Sequence, residues 1–218
     1  KGRGVILGGI TGVPPTKVVI LGAGTVAEYA ARAALGLGAE IKIFDNHLYK
    51  LRRLKYALGH QVFTSTLNTL ALTEALSRTD VAIGAIRAEE GKVQCIVTEE
   101  MVAQMKPNSV IIDVTIDQGG CFETSEIATH QNPVFKKHGV IHYCVPNIAS
   151  RVAHTSSIAL SNIFVPILMK TADYGGFEKM MLNHKRATKG VYAYRGKITN
   201  ASIGRKLDMP YSDIALLL

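Results

Sequence analysis

The sequence predicts an α/β fold with a doubly wound parallel sheet. Short apolar, β-branched runs alternate with helical patterns from Thr16 to about Val152, which is typical of repeated strand–helix–strand units. Most of these runs are largely apolar, as expected for strands that are buried on both faces of a parallel sheet. A chain of 218 residues has room for one such domain and part of a second.

The predicted elements follow one another in a regular order. We expect strands at Lys17–Leu21, Glu40–Phe44, Gln61–Ser65, Asp80–Ile86, Ser109–Ile116 and Gly139–Val145. We expect helices at Thr25–Leu37, His47–Leu58, Thr69–Arg78 and Thr98–Met105. Gly38 and Gly59 follow two of these helices directly, where the left-handed backbone of a helix end favours glycine.

The rest of the chain is expected to belong to a second domain, with the boundary between Ala153 and His154. A long helix is predicted over Thr155–Ala172, and residues 173–218 show only weak periodicity. The apolar run Ile158–Met169 is shorter than the roughly 20 residues of a membrane span, so we expect no membrane partner.

Composition bears on the partners and on the compartment. The 47% of apolar and 19% of charged residues are typical of a globular chain rather than a disordered one. The formal net charge is +8, but no tight Lys/Arg run with interleaved aromatic residues predicts a nucleic-acid partner. The three cysteines lack paired spacing, which favours free thiols in a reducing compartment such as the cytoplasm.

A glycine-rich motif lies between the first predicted strand and the first helix. Gly22, Ala23, Gly24, Thr25 and Val26 open the pattern G-x-G-x-x-A, which Ala27 completes. The first glycine allows a tight turn, the second lets the backbone approach a pyrophosphate, and the helix N–H groups face the phosphates. In this context the pattern predicts a Rossmann-type dinucleotide site.

An acidic residue in the expected position supports this interpretation. Asp45 follows the second predicted strand, where a carboxylate accepts hydrogen bonds from the ribose hydroxyls. A 2′-phosphate would be repelled there, so NAD is favoured over NADP. The alternative is a purely structural turn followed by an aspartate that caps a helix.

Open α/β sheets bind ligands at the carboxyl ends of their strands. The residues expected there, besides the glycine turn and Asp45, are Ala85, Ile86, Arg87, Ile116, Asp117, Gln118, Val145, Pro146, Asn147 and Ile148. Asp117 precedes two glycines, so its carboxylate is expected to face the crevice, where it would orient a substrate amine or assist an acid/base partner. The alternative is an aspartate that stabilises a turn through backbone N–H groups.

Metal chemistry is not expected. His142 and Cys144 alternate on one predicted strand, but one histidine and one cysteine do not make a zinc site. Core packing is the better interpretation for both.

The stretch Lys1 to Asn162 resembles the alanine dehydrogenase family, which is related to the dinucleotide-binding subunit of proton-translocating transhydrogenase. The most specific block is Asp113 to Glu123, which contains the order Asp-Gln-Gly-Gly-Cys. This order favours the dehydrogenase branch over transhydrogenase. Further matching segments are Gly8–Pro15, Gly22–Gly24, Asp45, Ile83–Ala85, Val97–Val102, Met105–Pro107, His142–Val145, Asn147 and Thr155–Ser156.

The resemblance implies reversible oxidative deamination of L-alanine to pyruvate and ammonia with NAD. It implies that the glycine turn holds the pyrophosphate, that Asp45 binds the adenosine ribose with Lys50 near the adenosine, and that Asp117 is the active-site aspartate. The nicotinamide half would be lined by Ala85, Ile86, Ile116, Val145, Asn147 and Ile148. The expected partners are a small amino acid or 2-oxo acid and further copies of the chain in a homo-oligomer.

The resemblance also implies that the family's substrate-binding Arg and Lys and its catalytic His belong to an amino-terminal half outside this sequence. We therefore expect 1–153 to be the NAD-binding domain and 154–218 to be the carboxyl-terminal part of a substrate domain, with an uncovered apolar face. This chain alone is expected to be inactive. Three departures leave the amino acid open: the loop Arg87–Gln94, Ile148 and Arg151. The rival hypothesis is a non-catalytic module that senses NAD or drives association.

Overall fold

The computed structural model describes residues 2–86 and 94–218. The predicted crevice residue Arg87, and with it most of the loop up to Gln94, lies outside the described residues. The chain divides into two compact units between Ile148 and Ala149. The assignment of 1–153 and 154–218 to a cofactor domain and a substrate domain stays a prediction.

The first unit contains a seven-stranded sheet, which confirms the predicted α/β doubly wound fold. Its spatial order is β3-β2-β1-β4-β5-β7-β6, and the strands are parallel except for β6. The strands are β1 (Lys17–Leu21), β2 (Glu40–Phe44), β3 (Phe63–Ser65), β4 (Val81–Gly84), β5 (Val110–Asp113), β6 (Val134–Lys137) and β7 (Val140–Tyr143).

The helices of this unit cover both faces of the sheet. They are α1 (Thr25–Gly36), α2 (Leu48–Leu58), α3 (Thr69–Ser77) and α4 (Glu99–Ala103). Alternate residues of β1 point to opposite faces: Val18 and Ile20 pack in one buried cluster, with α1 and α2, whereas Val19 and Leu21 pack in another, with α3 and α4. The apolar runs of the sequence are therefore the two-sided core of a central sheet.

The strand register brings four carboxyl ends together at one edge of the sheet. Leu21 is paired with both Phe44 and Gly84, and Gly84 is paired with Asp113. The residues that follow these four strands therefore lie at the same edge of the sheet. This is where a ligand site of a doubly wound sheet lies.

Two features of the sheet differ from the sequence-based prediction. The strand expected at Ser109–Ile116 ends at Asp113, because that carboxylate accepts hydrogen bonds from the backbone that follows and turns the chain. Asp117 consequently lies in a short 3₁₀ helix, Ile116–Gln118, and not at a strand end. The antiparallel edge strand β6 was not predicted; a two-residue turn joins it to β7, with positive φ at His138 and Gly139.

The second unit begins with α5 (Ala153–Asp173), a longer helix than the sequence predicts. Helices α6 (Phe177–Asn183), α7 (Lys185–Thr188) and α8 (Ala201–Leu207) and the two-stranded sheet of β8 (Ala193–Tyr194) and β9 (Lys197–Ile198) follow. Its buried apolar side chains include Met180, Met181 and Ile214.

No residue of α5 is buried, which agrees with the uncovered apolar face expected from the sequence. The helical segment Ile148–Asp173 has 26 residues and contains an 18-residue window with a mean hydropathy of 1.5, so by length and composition it could cross a membrane. The expectation of no membrane partner, which was drawn from the shorter run Ile158–Met169, stays a prediction. Core helices of soluble proteins have the same length and composition, so this helix does not by itself indicate a membrane.

Candidate functional site

A cleft of about 400 Å³ lies at the carboxyl edge of the sheet. Its lining combines the glycine turn, the residue after β2, and the segments after β4 and β5. The lining residues are Gly24, Thr25, Val26, Asp45, Lys50, Ala85, Ile86, Val114, Thr115, Asp117 and Gln118. The structure thus brings together eight of the residues that the sequence predicts to bind the cofactor or to act in catalysis.

Glycine is needed at the two positions of the turn, Gly22 and Gly24, for different reasons. Gly22 has a φ of +106°, and a Cβ atom there would lie 2.4 Å from the carbonyl oxygen of Ala85. Gly24 has a φ of −82°, and a Cβ atom there would meet no protein atom within 4 Å. Gly22 is therefore required by the fold, whereas Gly24 leaves open space on the cleft side of the backbone, where a ligand can approach closely.

The amino terminus of α1 faces this space without a side-chain cap. Gly24 occupies the N-cap position and provides no side-chain hydrogen bond. By contrast, the side chains of Asn68, Thr98 and Asn200 accept hydrogen bonds from the first turns of α3, α4 and α8. The free N–H groups and the helix dipole at this position can hold an anionic group such as a phosphate.

Asp45 connects the glycine turn to the start of α2. Its Oδ2 accepts a hydrogen bond of 2.8 Å from the backbone N–H of Ala23, and its Oδ1 accepts one of 2.7 Å from the backbone N–H of His47. Asp45 therefore has a structural role, which the sequence left open as an alternative: its carboxylate holds the backbone of the glycine turn and of the start of α2. This role does not exclude a ligand, because a carboxylate oxygen has a second lone pair and Asp45 also lines the cleft.

Asp113, which the sequence argument did not name as a site residue, organises the loop after β5. Its Oδ1 accepts hydrogen bonds from the backbone and the hydroxyl of Thr115, at 3.1 and 2.7 Å. Its Oδ2 accepts hydrogen bonds from the backbone N–H of Cys121 at 3.0 Å and from the hydroxyl of Ser125 at 2.8 Å. Asp113 is only 1% exposed, so its charge is balanced by these donors rather than by solvent.

Asp117 has the opposite environment. It is exposed and lines the cleft together with Thr115 and Gln118. Among the described residues its carboxylate has no recorded hydrogen bond or ion pair. The turn-stabilising role considered for Asp117 thus belongs to Asp113, and the carboxylate of Asp117 is free to interact with a ligand.

Cys121 and His142 are buried, and burial shifts the pKa of both side chains toward the neutral form. Burial, together with the neighbouring Asp113 carboxylate, holds the pKa of the Cys121 thiol well above its usual range, so the thiol is protonated and a poor nucleophile at neutral pH. Burial lowers the pKa of His142, whose ring stacks on Phe135. His142 is thus a neutral core residue, as the sequence suggests, and the described residues contain no cluster that could hold a metal ion.

The remaining predicted residues are not part of the cleft lining. Gly22, Ala23, Ile116 and Val145 are buried, Asn147 is exposed with a φ of +52°, and Ile148 is half-buried. Their proposed contacts with a nicotinamide stay predictions. Conversely, Val114 and Thr115 line the cleft but were missed, because the predicted strand ran through them to Ile116.

Comparison with known proteins places this arrangement in a family. Residues 1–201 match the model of the alanine dehydrogenase/PNT C-terminal domain. The chain belongs to the alanine dehydrogenase/PNT C-terminal domain family. The resemblance drawn from the sequence is thereby confirmed, and the cleft lies in the part of the chain that the family model covers.

Individual relatives agree with this placement. The chain is 41% identical over 217 residues to an alanine dehydrogenase of Mycolicibacterium smegmatis, an alignment that covers 100% of this chain and 58% of that protein. Among solved structures, an L-alanine dehydrogenase has a TM-score of 0.88 and 36% identity, covering 95% of this chain and 57% of its own. A transhydrogenase from Sinorhizobium meliloti has a TM-score of 0.64 and 26% identity, covering 72% and 44%.

These family members differ from the chain in length. The chain spans slightly more than half of the alanine dehydrogenases that it matches. The chain is more similar to the L-alanine dehydrogenase than to the transhydrogenase in both sequence and structure. This agrees with the Asp-Gln-Gly-Gly-Cys order, which favours the dehydrogenase branch.

Proposed function

We propose that this chain is the dinucleotide-binding portion of an NAD-dependent alanine dehydrogenase, which interconverts L-alanine with pyruvate and ammonia. One observation carries the proposal: a single cleft is lined by Gly24, by the acid after β2 and by the free carboxylate of Asp117. When bound, the nicotinamide would accept or donate the hydride. The family and the names of the relatives support the reaction class.

The residues of the cleft fit NAD on physical grounds. The open space beside Gly24 and the uncapped start of α1 suit a pyrophosphate. Asp45 has acceptor capacity left for ribose hydroxyls, and Lys50 lies in the same lining. Ala85 and Ile86 supply the apolar wall that a nicotinamide ring requires.

Asp117 is the group of this chain that we assign to the reaction. Its carboxylate would accept a hydrogen bond from the amino group of alanine, or from ammonia in the reverse direction, and so orient the Cα–H bond toward the nicotinamide. The remaining acid/base and substrate-binding groups are assigned to the part of the relatives that this chain does not span. The proposal includes a homo-oligomer in the cytoplasm, which light scattering and fractionation of the intact protein would test.

The first prediction tests cofactor binding and chemistry separately. The purified 218-residue chain is expected to bind NADH but to show no alanine-dependent reduction of NAD, because we assign the cofactor groups to this chain and the catalytic partners of Asp117 to the part of the relatives that it does not span. NADH is titrated by fluorescence or calorimetry, and NAD reduction is followed by absorbance. Absence of NADH binding would contradict the proposed site, and turnover at an enzyme-like rate would contradict the assignment of catalytic groups to another segment.

A second candidate function is a non-catalytic module that senses NAD or drives association. It is favoured by the exposed apolar face of α5, which suits an association surface. Both hypotheses predict NADH binding by this chain. They differ for a protein that spans the full length of the alanine dehydrogenase relatives and contains this chain: turnover there supports the dehydrogenase, and its absence supports the module.

The next prediction concerns the choice of cofactor. Asp45→Asn removes the negative charge but keeps an oxygen that can accept the hydrogen bond from Ala23. The ratio of NADPH to NADH affinity is expected to rise by about tenfold, because the like-charge repulsion of the 2′-phosphate is removed. Calorimetric titration of both dinucleotides measures this ratio. Equal binding of NADPH and NADH by the unmodified chain would contradict the assigned role of Asp45.

A further inference from the structure

A histidine lies beside the carboxylate that is proposed to select the dinucleotide. The Nδ1 atom of His47 is 2.9 Å from Oδ1 of Asp45, and the backbone N–H of His47 donates to the same oxygen. The imidazole is partly open to solvent, with 42% of the side chain exposed, whereas the Asp45 side chain is 11% exposed. His47 can therefore exchange protons with solvent while it contacts an almost buried acid.

The hydrogen bond fixes the arrangement of protons at this histidine. An ionised carboxylate only accepts, so Nδ1 of His47 carries the hydrogen and donates it to Asp45. The same Nδ1 cannot then accept from the ammonium group of Lys50, which lies 3.4 Å away. Nδ1 of His47 is therefore not an acceptor for Lys50, whose Nζ lies 5.9 Å from the centroid of the Tyr49 ring and whose side chain lines the cleft.

Two arginines of α1 and α2 are already paired. Arg53 donates to Glu28 at 2.7 Å and to the carbonyl oxygen of Ala23 at 3.2 Å. Arg32, on the same helix as Glu28, is paired with it as well. The neutral ring of Tyr49 meets the imidazole of His47 edge to face. In the described part of the chain, the titratable or charged groups that line this part of the cleft or contact Asp45 are Asp45 itself, His47 and Lys50.

We propose that His47 and Lys50 set how strongly this cleft discriminates against a 2′-phosphorylated dinucleotide, with the protonation of His47 as the variable. The inference rests on the proposed function, because it takes the cleft to be a dinucleotide site. A neutral His47 leaves the negative charge of Asp45 directed at the ribose, and the site prefers NADH. A protonated His47 compensates that charge, and with Lys50 the three groups become net positive.

The sign of the pH dependence follows from this arrangement. An imidazole gains a proton and a positive charge as pH falls, so the preference for NADH over NADPH is expected to weaken at low pH. The 2′-phosphate itself takes up a proton near pH 6. A variant that lacks only the imidazole separates the two effects, because the ligand then titrates identically in both proteins.

The test is a calorimetric titration of NADH and NADPH on the 218-residue chain at a low pH of about 6 and a high pH of about 8.5. His47→Gln removes the titratable group and keeps a side chain that can donate to Asp45. The matched control is His60→Gln, which removes an exposed imidazole just beyond the end of α2. Lys50→Met is measured in parallel to remove the second cation.

At about pH 6, His47→Gln is expected to lower the NADPH-to-NADH affinity ratio by at least about fivefold, with little change at about pH 8.5. Lys50→Met is expected to lower the ratio at both pH values, and His60→Gln at neither. If NADH binds to all four proteins and the ratio is the same in His47→Gln as in the unmodified chain, the inference is wrong and the proposed function stands. If NADH does not bind to the unmodified chain, both are wrong.

Discussion

Replacing Asp117 by asparagine is expected to lower the kcat of the intact enzyme by at least about a hundredfold, on the scale of losing a positioned catalytic group. The substitution keeps the shape of the side chain and removes its charge. Asp117 is exposed in the cleft and, in the described part of the chain, its carboxylate has no recorded partner. The melting temperature and the NADH affinity should therefore change little.

The neighbouring Asp113 provides the matched control. Asp113→Asn places an amide N–H₂ group among the N–H and O–H donors of Thr115, Cys121 and Ser125. This mismatch in a buried network should cost about 2 to 4 kcal/mol of the free energy of unfolding. Melting temperature and kcat are measured on the same preparations of both variants. A stability loss for Asp117→Asn, with a normal rate per folded molecule, would contradict the catalytic assignment.

The two glycines of the turn should separate stability from ligand binding. Gly24→Ala adds a Cβ atom in open space at an ordinary φ of −82°, so the fold should tolerate it. The added methyl group occupies the space that we assign to the pyrophosphate, and NADH affinity should fall by at least about tenfold. Calorimetry gives the affinity, and thermal unfolding gives the stability.

Gly22→Ala is the complementary variant. Its Cβ atom would lie 2.4 Å from the carbonyl oxygen of Ala85, at a φ of +106°, so the loss should appear in stability, at about 2 to 4 kcal/mol. If Gly24→Ala binds NADH as tightly as the unmodified chain, the pyrophosphate does not approach the backbone at this position. If Gly22→Ala is as stable as the unmodified chain, the strained contact with Ala85 is not important.

Most of the central sheet follows from local sequence patterns. The runs at Lys17–Leu21 and Glu40–Phe44 are predicted as strands with the bounds that the structure shows, because an apolar, β-branched run between turn residues has few alternatives. The edge strand β6 was missed. It contains Lys136 and Lys137, alternates between exposed and half-buried positions, and becomes a strand only by pairing with β7.

Part of the cleft lining could also be predicted from local sequence patterns. Gly22, Gly24 and Asp45 could be identified because turn geometry and the distance along a strand–helix–strand unit are local properties. The loop after β5 could not, because its course depends on where the carboxylate of Asp113 finds its donors. Two aspartates four positions apart look alike in a sequence, and hydrogen bonding with Cys121 and Ser125 decides which of them is structural.

The sequence by itself determined the α/β class, the order of the elements, the glycine turn with its acid, and the family. These depend on periodicity, on backbone geometry and on short-range spacing, which are written directly in the chain. Only the tertiary structure decided that Asp45 holds Ala23 and His47, that Asp113 is buried while Asp117 is free, and that Arg53 is paired while Lys50 faces the cleft. The physical reason is that a charged side chain acquires its role from the donors, acceptors and solvent around it, and those neighbours come from distant parts of the chain.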